Sequence, residues 1–221
     1  LYDDQSALTQ LNRAGRLDAP PFELLECLAL SARVHRATGG LFDPSVQPLW
    51  ALYAERAVAG VVPNAADLDS VLPKVGFDRV VFDERSVRLE PGMGLTLNGV
   101  AQGFIADRVA DLLRGQGVQN VLVNTGELAA LGPMADGAPW PVRLTTGTSL
   151  PLAQGGLASS SALGTTFDDA GQIGHILNPV TGRPAAPVWT LVTVAAGQAG
   201  LADALSTAAC LMPDRATIEQ A

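Results

Sequence analysis

Apolar positions along the chain follow two rhythms, and the clearest helical one lies between Leu95 and Leu113. In LTLNGVAQGFIADRVADLL, Ile105, Val109, Leu112 and Leu113 recur at i, i+4, i+7 and i+8 on one face. Asp107, Arg108, Asp111 and Arg114 fall away from it. Three strand-like residues (95–97) lead in, Asn98 or Gly99 is expected at the N-cap, and Gly115 and Gly117 stop the helix. Similar logic predicts a short helix over 6–12 behind a loop that begins at Leu1. A longer helix is opened by Pro20-Pro21 and closed by Gly39-Gly40, with Leu24, Leu25, Leu28, Ala32 and His35 inward. Residues 64–75 read as a short helix. In a last helix over 200–212, Leu201, Ala204, Leu205, Ala208 and Met212 form one stripe. Residues 41–50, LFDPSVQPLW, read as Pro-interrupted turns with bulky anchors, Asp43-Pro44 marking a turn or helix start.

The second rhythm marks strands. Residues 79–82 and 86–89 alternate across Asp83-Glu84-Arg85 as a hairpin. Residues 120–123, 140–145, 175–177 and 188–196 read as further strands, the last buried and the third ending in an Asn178-Pro179, Thr181-Gly182 turn. The strand-helix-strand order from 95 to 123 suggests a crossover unit. Residues 155–161 carry three serines after Gly-Gly, either a solvated loop or a hydroxyl-lined pocket edge. No repeat, linker or low-complexity tract interrupts the pattern, so a single domain over residues 1–221 with mixed α/β content is expected.

Composition narrows the partners. Of 221 residues 48% are apolar and 16% charged, as in a globular chain. The net charge of −8 and a single lysine, Lys74, argue against nucleic acid and anionic membranes. A phosphate ligand would therefore rely on backbone N–H groups or a cation. Cys27 and Cys210 lie in apolar helical segments, where a free thiol packs as a small hydrophobe. No run is long and apolar enough to span a bilayer as a helix. The first residue is Leu1 rather than Met, compatible with an export signal removed or left out.

The last helix carries the sharpest chemical signal. From Gly197 to Met212, Asp203 is the one charged residue, and the outer face shows Ala, Ser and Cys, so both sides are expected to be covered. A covered carboxylate is costly unless a cation meets it, and no basic residue is near in sequence. Thr207, four residues on, places its oxygen above that of Asp203. Two readings stand side by side: a hard metal ion held by carboxylate and hydroxyl, or an Asp favoured by its helix dipole with a Thr bonded to its own helix backbone. His175, beside a Pro-Gly turn, is a neutral base near pH 7 or a structural histidine, whereas His35 reads as packed. Glu127 is a loop charge or a polar anchor for a ligand. Trp50 is core, the commoner outcome, or lines a ring-binding cleft. The Asn98-Gly99 turn before a helix is a phosphate site or an ordinary corner. Walker A, G-x-S-x-G, H-E-x-x-H and C-x-x-C patterns are absent from the sequence.

Six segments in a fixed order carry a resemblance: SALTQLN (6–12), TGGLFDPSVQPLW (38–50), LTLNGVAQGFIADRVADLL (95–113), VLVNTGELAALG (121–132), HILNPVTGRPA (175–185) and LADALSTA (201–208). Together they resemble the FAD:protein FMN transferase family, also called ApbE-like, and look closest to its NosX-like branch, linked with nitrous-oxide respiration. The resemblance implies a single-domain, T-fold-related α+β architecture with mixed sheets flanked by helices. It implies an exported, periplasmic enzyme that uses FAD and Mg²⁺ to move FMN onto a Thr or Ser hydroxyl of a target flavoprotein, releasing AMP. That target would be a membrane flavoprotein of nitrous-oxide respiration. By motif position Asp203, Thr207 and the Gly99 carbonyl match the metal ligands, and His175 the histidine associated with catalysis. Trp50, Thr96, Asn98, Gln102, Glu127 and Ile176 match positions around the flavin nucleotide. Gln102 stands where the family usually has Lys, Thr96 where Asp is common, and Asn178 where Asp usually precedes Pro. Losing the first two would alter FAD affinity or slow transfer. The family's usual N- and C-terminal strands are not visible, so a trimmed chain is expected. The rival expectations are an FAD pyrophosphatase giving FMN and AMP, and a flavin-binding protein without catalysis.

Overall fold

The computed structural model describes residues 3–220, which leaves Leu1 and Tyr2 of the expected N-terminal loop outside the described residues. Helix α1 (Ala7–Ala14) opens at Ser6, whose hydroxyl accepts from the Thr9 N–H at 3.2 Å, and closes on Gly15 at φ +68°. Strand β1 (Arg16–Asp18) follows, then α2 (Phe22–Ala37). Leu24, Cys27, Leu28, Ser31, Val34 and His35 form the buried stripe of α2, with Glu23 in its first turn and Arg36 in its last, as the dipole favours.

A 3₁₀ turn (Pro44–Val46) capped by Asp43 runs into α3 (Gln47–Val58). The helix start weighed at Asp43-Pro44 holds, and α3 corrects the reading of the rest of 41–50 as Pro-interrupted turns: Pro48 lies in its first turn, where no intrahelical N–H is lost. Helix α4 (Ala65–Val71) is fixed by a reciprocal capping box between Asn64 and Asp67. Strands β2 (Val81–Phe82) and β3 (Ser86–Arg88) form the expected hairpin, and β1 adds to it in the order β1-β3-β2.

Helix α5 (Ala101–Gly115) departs from expectation in three ways. No strand precedes it. Instead the Asn12 side chain takes both backbone groups of Leu95, each at 2.8 Å, imitating a strand neighbour. The N-cap is Val100, not Asn98 or Gly99. Its buried face is Ala101, Gly103, Ala106 and Ala110, while Ile105 and Leu112 are 45% and 70% exposed. The small face wins because α5 lies backbone-close against another helix: a Cβ on Gly103 would stand 2.2 Å from the Ala199 carbonyl oxygen.

That partner is α6 (Ala199–Ala209), reached after β4 (Val121–Asn124), β5 (Leu128–Leu131), β6 (Trp140–Arg143), β7 (Ser149–Leu152), β8 (Gly155–Ser160) and β9 (Val192–Ala196). A short α7 (Arg215–Gln220) follows it. The central sheet runs β4-β5-β8-β9, with β6-β7 a separate ribbon. Every pair among these strands is antiparallel, so the crossover reading is overturned and these sheets are not mixed in direction, although the α+β class stands. Residues 155–160 are a strand rather than a solvated loop. Only Val192–Ala196 of the 188–196 run is a strand, at the sheet edge, and Val188 is exposed. Residues 175–177 form no strand; isolated bridges, Thr166 to Gly174 and Leu177 to Pro184, and single backbone hydrogen bonds such as Ala185 N to the Ile176 carbonyl tie this region together.

Helix α6 lies over β8 and β9 and touches α5 and α2, so it is enclosed as its sequence implied. The main core joins Leu11, Leu28, Val34, Val87, Leu95 and Val100 to Ala204 and Ala208. Burying each of its large side chains contributes roughly 1.5–3 kcal/mol. Among the described residues no helix is long and apolar enough to cross a membrane.

Candidate functional site

A cleft of about 330 Å³ opens where the start of α5, the face of α6, the end of β8 and two loops converge. Asp203 forms part of its wall and is only 4% exposed. Its Oδ2 accepts from the Gly103 N–H of α5 at 3.1 Å. Among the described ion pairs none includes Asp203. Burial pushes its carboxyl up to about 6, with that single hydrogen bond pulling only partly the other way. One turn on, Thr207 also lines the cleft, and Ser160 Oγ lies 3.5 Å from its Oγ1 and 2.7 Å from Ser206 Oγ. Facing them is Gly99, where a Cβ would stand 3.0 Å from Thr207 Oγ1.

Glu127, in the turn between β4 and β5, faces the same space and accepts from the Ser159 N–H at 3.1 Å. Burial, and then the nearby Asp203 carboxylate, push it up to about 7. The loop after β8 brings His175 to the opposite side. Its Nδ1–H donates to the Thr165 carbonyl at 2.9 Å, which leaves Nε2 as the basic nitrogen. Burial lowers the His175 pKa, so the neutral ring prevails near pH 7.

The remaining residues singled out in the sequence line the same cleft. Thr96 is anchored through its N–H to the Pro44 carbonyl at 2.8 Å, and its hydroxyl accepts from the Asn98 N–H. Gln102 donates to the Thr125 carbonyl at 3.3 Å while the Thr125 hydroxyl donates back to the Gln102 carbonyl, joining α5 to the Glu127 turn. Ile176 is buried. Trp50, half-buried, stands edge-on to Phe167 at 5.5 Å and so lines the cleft as well as packing. His35 is packed as expected, bonded to the Phe42 carbonyl and facing Asp78.

The first turn of α5 corrects the idea of a bare row of phosphate-binding N–H groups. Val100 N and Ala101 N donate to the Leu97 carbonyl, and Gly103 N to Asp203. What the cleft offers is oxygen: two carboxylates without an ion pair among the described residues, Asp203 and the half-buried Glu127, a hydroxyl one turn above Asp203, a facing backbone, and a serine row. Among the described residues no trio of His, Cys, Asp or Glu could cage a metal. Mg²⁺ binds in a different mode, through one or two carboxylates plus substrate phosphates, and this donor set fits it.

Sequence reasoning missed Asp43, Thr165, Leu191 and Leu211, all on the cleft wall. Asp43 had a signal, the Asp-Pro-Ser start of a helical turn: its Oδ1 accepts from Ser45 N at 2.7 Å and its Oδ2 from Phe77 N at 3.1 Å. The other three have no local signature, because only chain folding brings them there.

The ApbE family model matches residues 1–221. Two curated relatives are called FAD:protein FMN transferase. The Haemophilus influenzae protein is 27% identical over 242 residues, covering 100% of this chain and 70% of its own. The Salmonella typhimurium protein is 27% identical over 226 residues, covering 93% and 64%. The chain thus spans about two thirds of the length of these relatives. The solved structure of an ApbE protein from Thermotoga maritima superposes with a TM-score of 0.86 at 27% identity, over 95% of this chain and 72% of that one.

Proposed function

Because the chain belongs to the ApbE family, we propose that it transfers the FMN half of FAD onto a Thr or Ser hydroxyl of an acceptor flavoprotein and releases AMP. The observation that carries this reading is Asp203: a buried carboxylate in a helix otherwise free of charge, met by no cation, with Thr207 one turn above and Gly99 opposite. Mg²⁺, held there by Asp203, Thr207 and the Gly99 carbonyl, would neutralise charge on the FAD diphosphate. Its site would be completed by substrate oxygens, since this chain brings one carboxylate and a half-buried second, Glu127.

His175 Nε2 takes the proton of the incoming hydroxyl, whose oxygen forms a bond to the FMN-side phosphorus as the bond to the AMP phosphate breaks. The Thr165 carbonyl holds the ring in the tautomer that can do this. Trp50, backed by Phe167, offers a face for an aromatic ring of the nucleotide. Gln102 and Thr96 give this cleft neutral polar groups, so the acidic side chains lining it are Asp43, Glu127 and Asp203. We assign the acceptor to the membrane flavoproteins of nitrous-oxide respiration and the site of action to the periplasm, on the NosX-like sequence pattern.

The test is to incubate the protein with FAD, Mg²⁺ and a candidate acceptor and to weigh the acceptor. A gain of one FMN supports transfer; free FMN with an unmodified acceptor means hydrolysis, and neither means binding alone. Asp203→Ala should lose metal-dependent transfer while remaining folded. Full transfer by that variant would reject the site.

A further inference from the structure

Neither α5 nor α6 caps itself: the side chains of Val100 and Gln198, at their respective N-caps, make no capping hydrogen bond. Each is capped by a carboxylate of the other. Asp107 of α5 accepts from Ala199 N at 2.8 Å and Gly200 N at 2.9 Å, the first two N–H groups of α6. Asp203 of α6 accepts from Gly103 N in the first turn of α5 at 3.1 Å. Gly103 and Asp107 are one turn apart, as are Ala199 and Asp203, so the helices meet antiparallel with a carboxylate closing each end of the contact. Between the two ends there is no slack. A Cβ at Gly200 would stand 3.1 Å from the Phe104 backbone, and one at Gly156 of β8 2.1 Å from Ala199 Cα.

We infer that Asp107 is a positioning residue of the cleft: by holding the N-terminus of α6 from α5 it sets the register in which Asp203 and Thr207 face Gly99. The inference rests on the metal-assisted reading above. Gly99 leads into α5, whereas Asp203 and Thr207 ride on α6, so a ligand bridging them reads the relative placement of two helices. Asp203 fixes that placement at one end but is itself part of the cleft. Asp107 fixes the other end and does not line the cleft. A two-oxygen cap on adjacent N–H groups resists both sliding and rotation of α6, which a hydrophobic contact among alanines would resist weakly.

The test is calorimetric titration of MgCl₂ into wild type, Asp107→Ala and Asp107→Asn at 15 °C, where folded protein is verified by circular dichroism, with apparent KM for Mg²⁺ and kcat in parallel. The expected result is a Mg²⁺ dissociation constant raised tenfold or more in Asp107→Ala. Asp107→Asn, which keeps the shape and one accepting oxygen, should show a shift of threefold or more but smaller than that of Ala, with KM for Mg²⁺ rising in the same order. Affinities within twofold of wild type in the folded variants, whatever the loss in melting temperature, would reduce Asp107 to a structural cap and overturn the inference. Should Asp107→Ala fail to fold, the Asn variant decides by the same thresholds. No Mg²⁺ binding by wild type would overturn the metal-assisted reading itself, and this inference with it.

Discussion

Gly99 and Thr207 approach so closely that a Cβ on the glycine would stand 3.0 Å from the threonine Oγ1 and 3.1 Å from its Cγ2. Gly99 sits in the turn before α5 and Thr207 on α6, and their contact is where the start of α5 meets the cleft-facing side of α6. Gly99→Ala would push the Thr207 hydroxyl away by a few tenths of an ångström. A misplacement of about 1 Å at a positioned group can cost about 10²-fold in rate, so a few tenths should cost severalfold. We expect FMN transfer to fall severalfold while the melting temperature moves by only a few degrees, read by acceptor mass gain and by thermal denaturation.

Two of the carboxyl groups lining the cleft make stability depend on pH. Both Asp203, at about 6, and Glu127, at about 7, sit above the ordinary carboxylate range when folded. A raised folded pKa gives stability that is fully present below the ordinary carboxylate pKa and lost as pH rises from there through about 6 for Asp203 and about 7 for Glu127. Asp203→Asn removes the charge that costs this, worth on the order of 3 kcal/mol. Its melting temperature relative to wild type should therefore climb between pH 5 and pH 8 in metal-free buffer. The comparison is a difference between two proteins, so the opposite trend from His175 cancels. Saturating Mg²⁺ at pH 8 should raise the wild-type melting temperature and leave Asp203→Asn where it was.

His175 sets a different pH limb. Burial lowers its pKa, so at saturating Mg²⁺ the acid fall in transfer rate should lie below pH 6.5. His175→Ala should transfer about 10²-fold to 10⁴-fold more slowly and lose that limb. A variant rate profile of unchanged shape would remove His175 from the proton step.

Gly103 tests the helix contact independently of chemistry. Alanine is the better helix former by about 1 kcal/mol, yet its Cβ would meet the Ala199 carbonyl oxygen at 2.2 Å and the Gly200 nitrogen at 2.7 Å. Backbone atoms cannot step aside cheaply, so overpacking should win. A net loss of about 2 kcal/mol or more is expected, or roughly 4–8 °C in melting temperature for a chain of this size, measured by calorimetry.

Much of this was legible in the chain, and the misses share a cause. The periodicity of α2, the short helix starting at Asn64 and the covered character of α6 were local properties, and they hold. Of the apolar face assigned to α5, Val109 and Leu113 do pack against the core while Ile105 and Leu112 face outward, because hydrophobicity ranks side chains by size, whereas the α5–α6 contact selects for their absence. A strand at 95–97 was wrong because Asn12, 83 residues away, supplies the hydrogen bonds a neighbouring strand would have given. Strands β5, β7 and β8 were missed for want of length or alternation; their sheet partners define them.

Sequence alone determined which groups were available: a lone carboxylate in a helix of small residues, a threonine one turn on, a glycine before another helix, and a histidine beside a turn. Composition and spacing are enough for that, since helical periodicity fixes which neighbours share a face. Tertiary structure decided that these groups stand around one cleft, that the carboxylate meets a backbone N–H instead of an arginine, and that Asp107 turns inward rather than to solvent. Those outcomes depend on how closely two helix backbones approach, and no window of sequence shorter than the fold contains that distance.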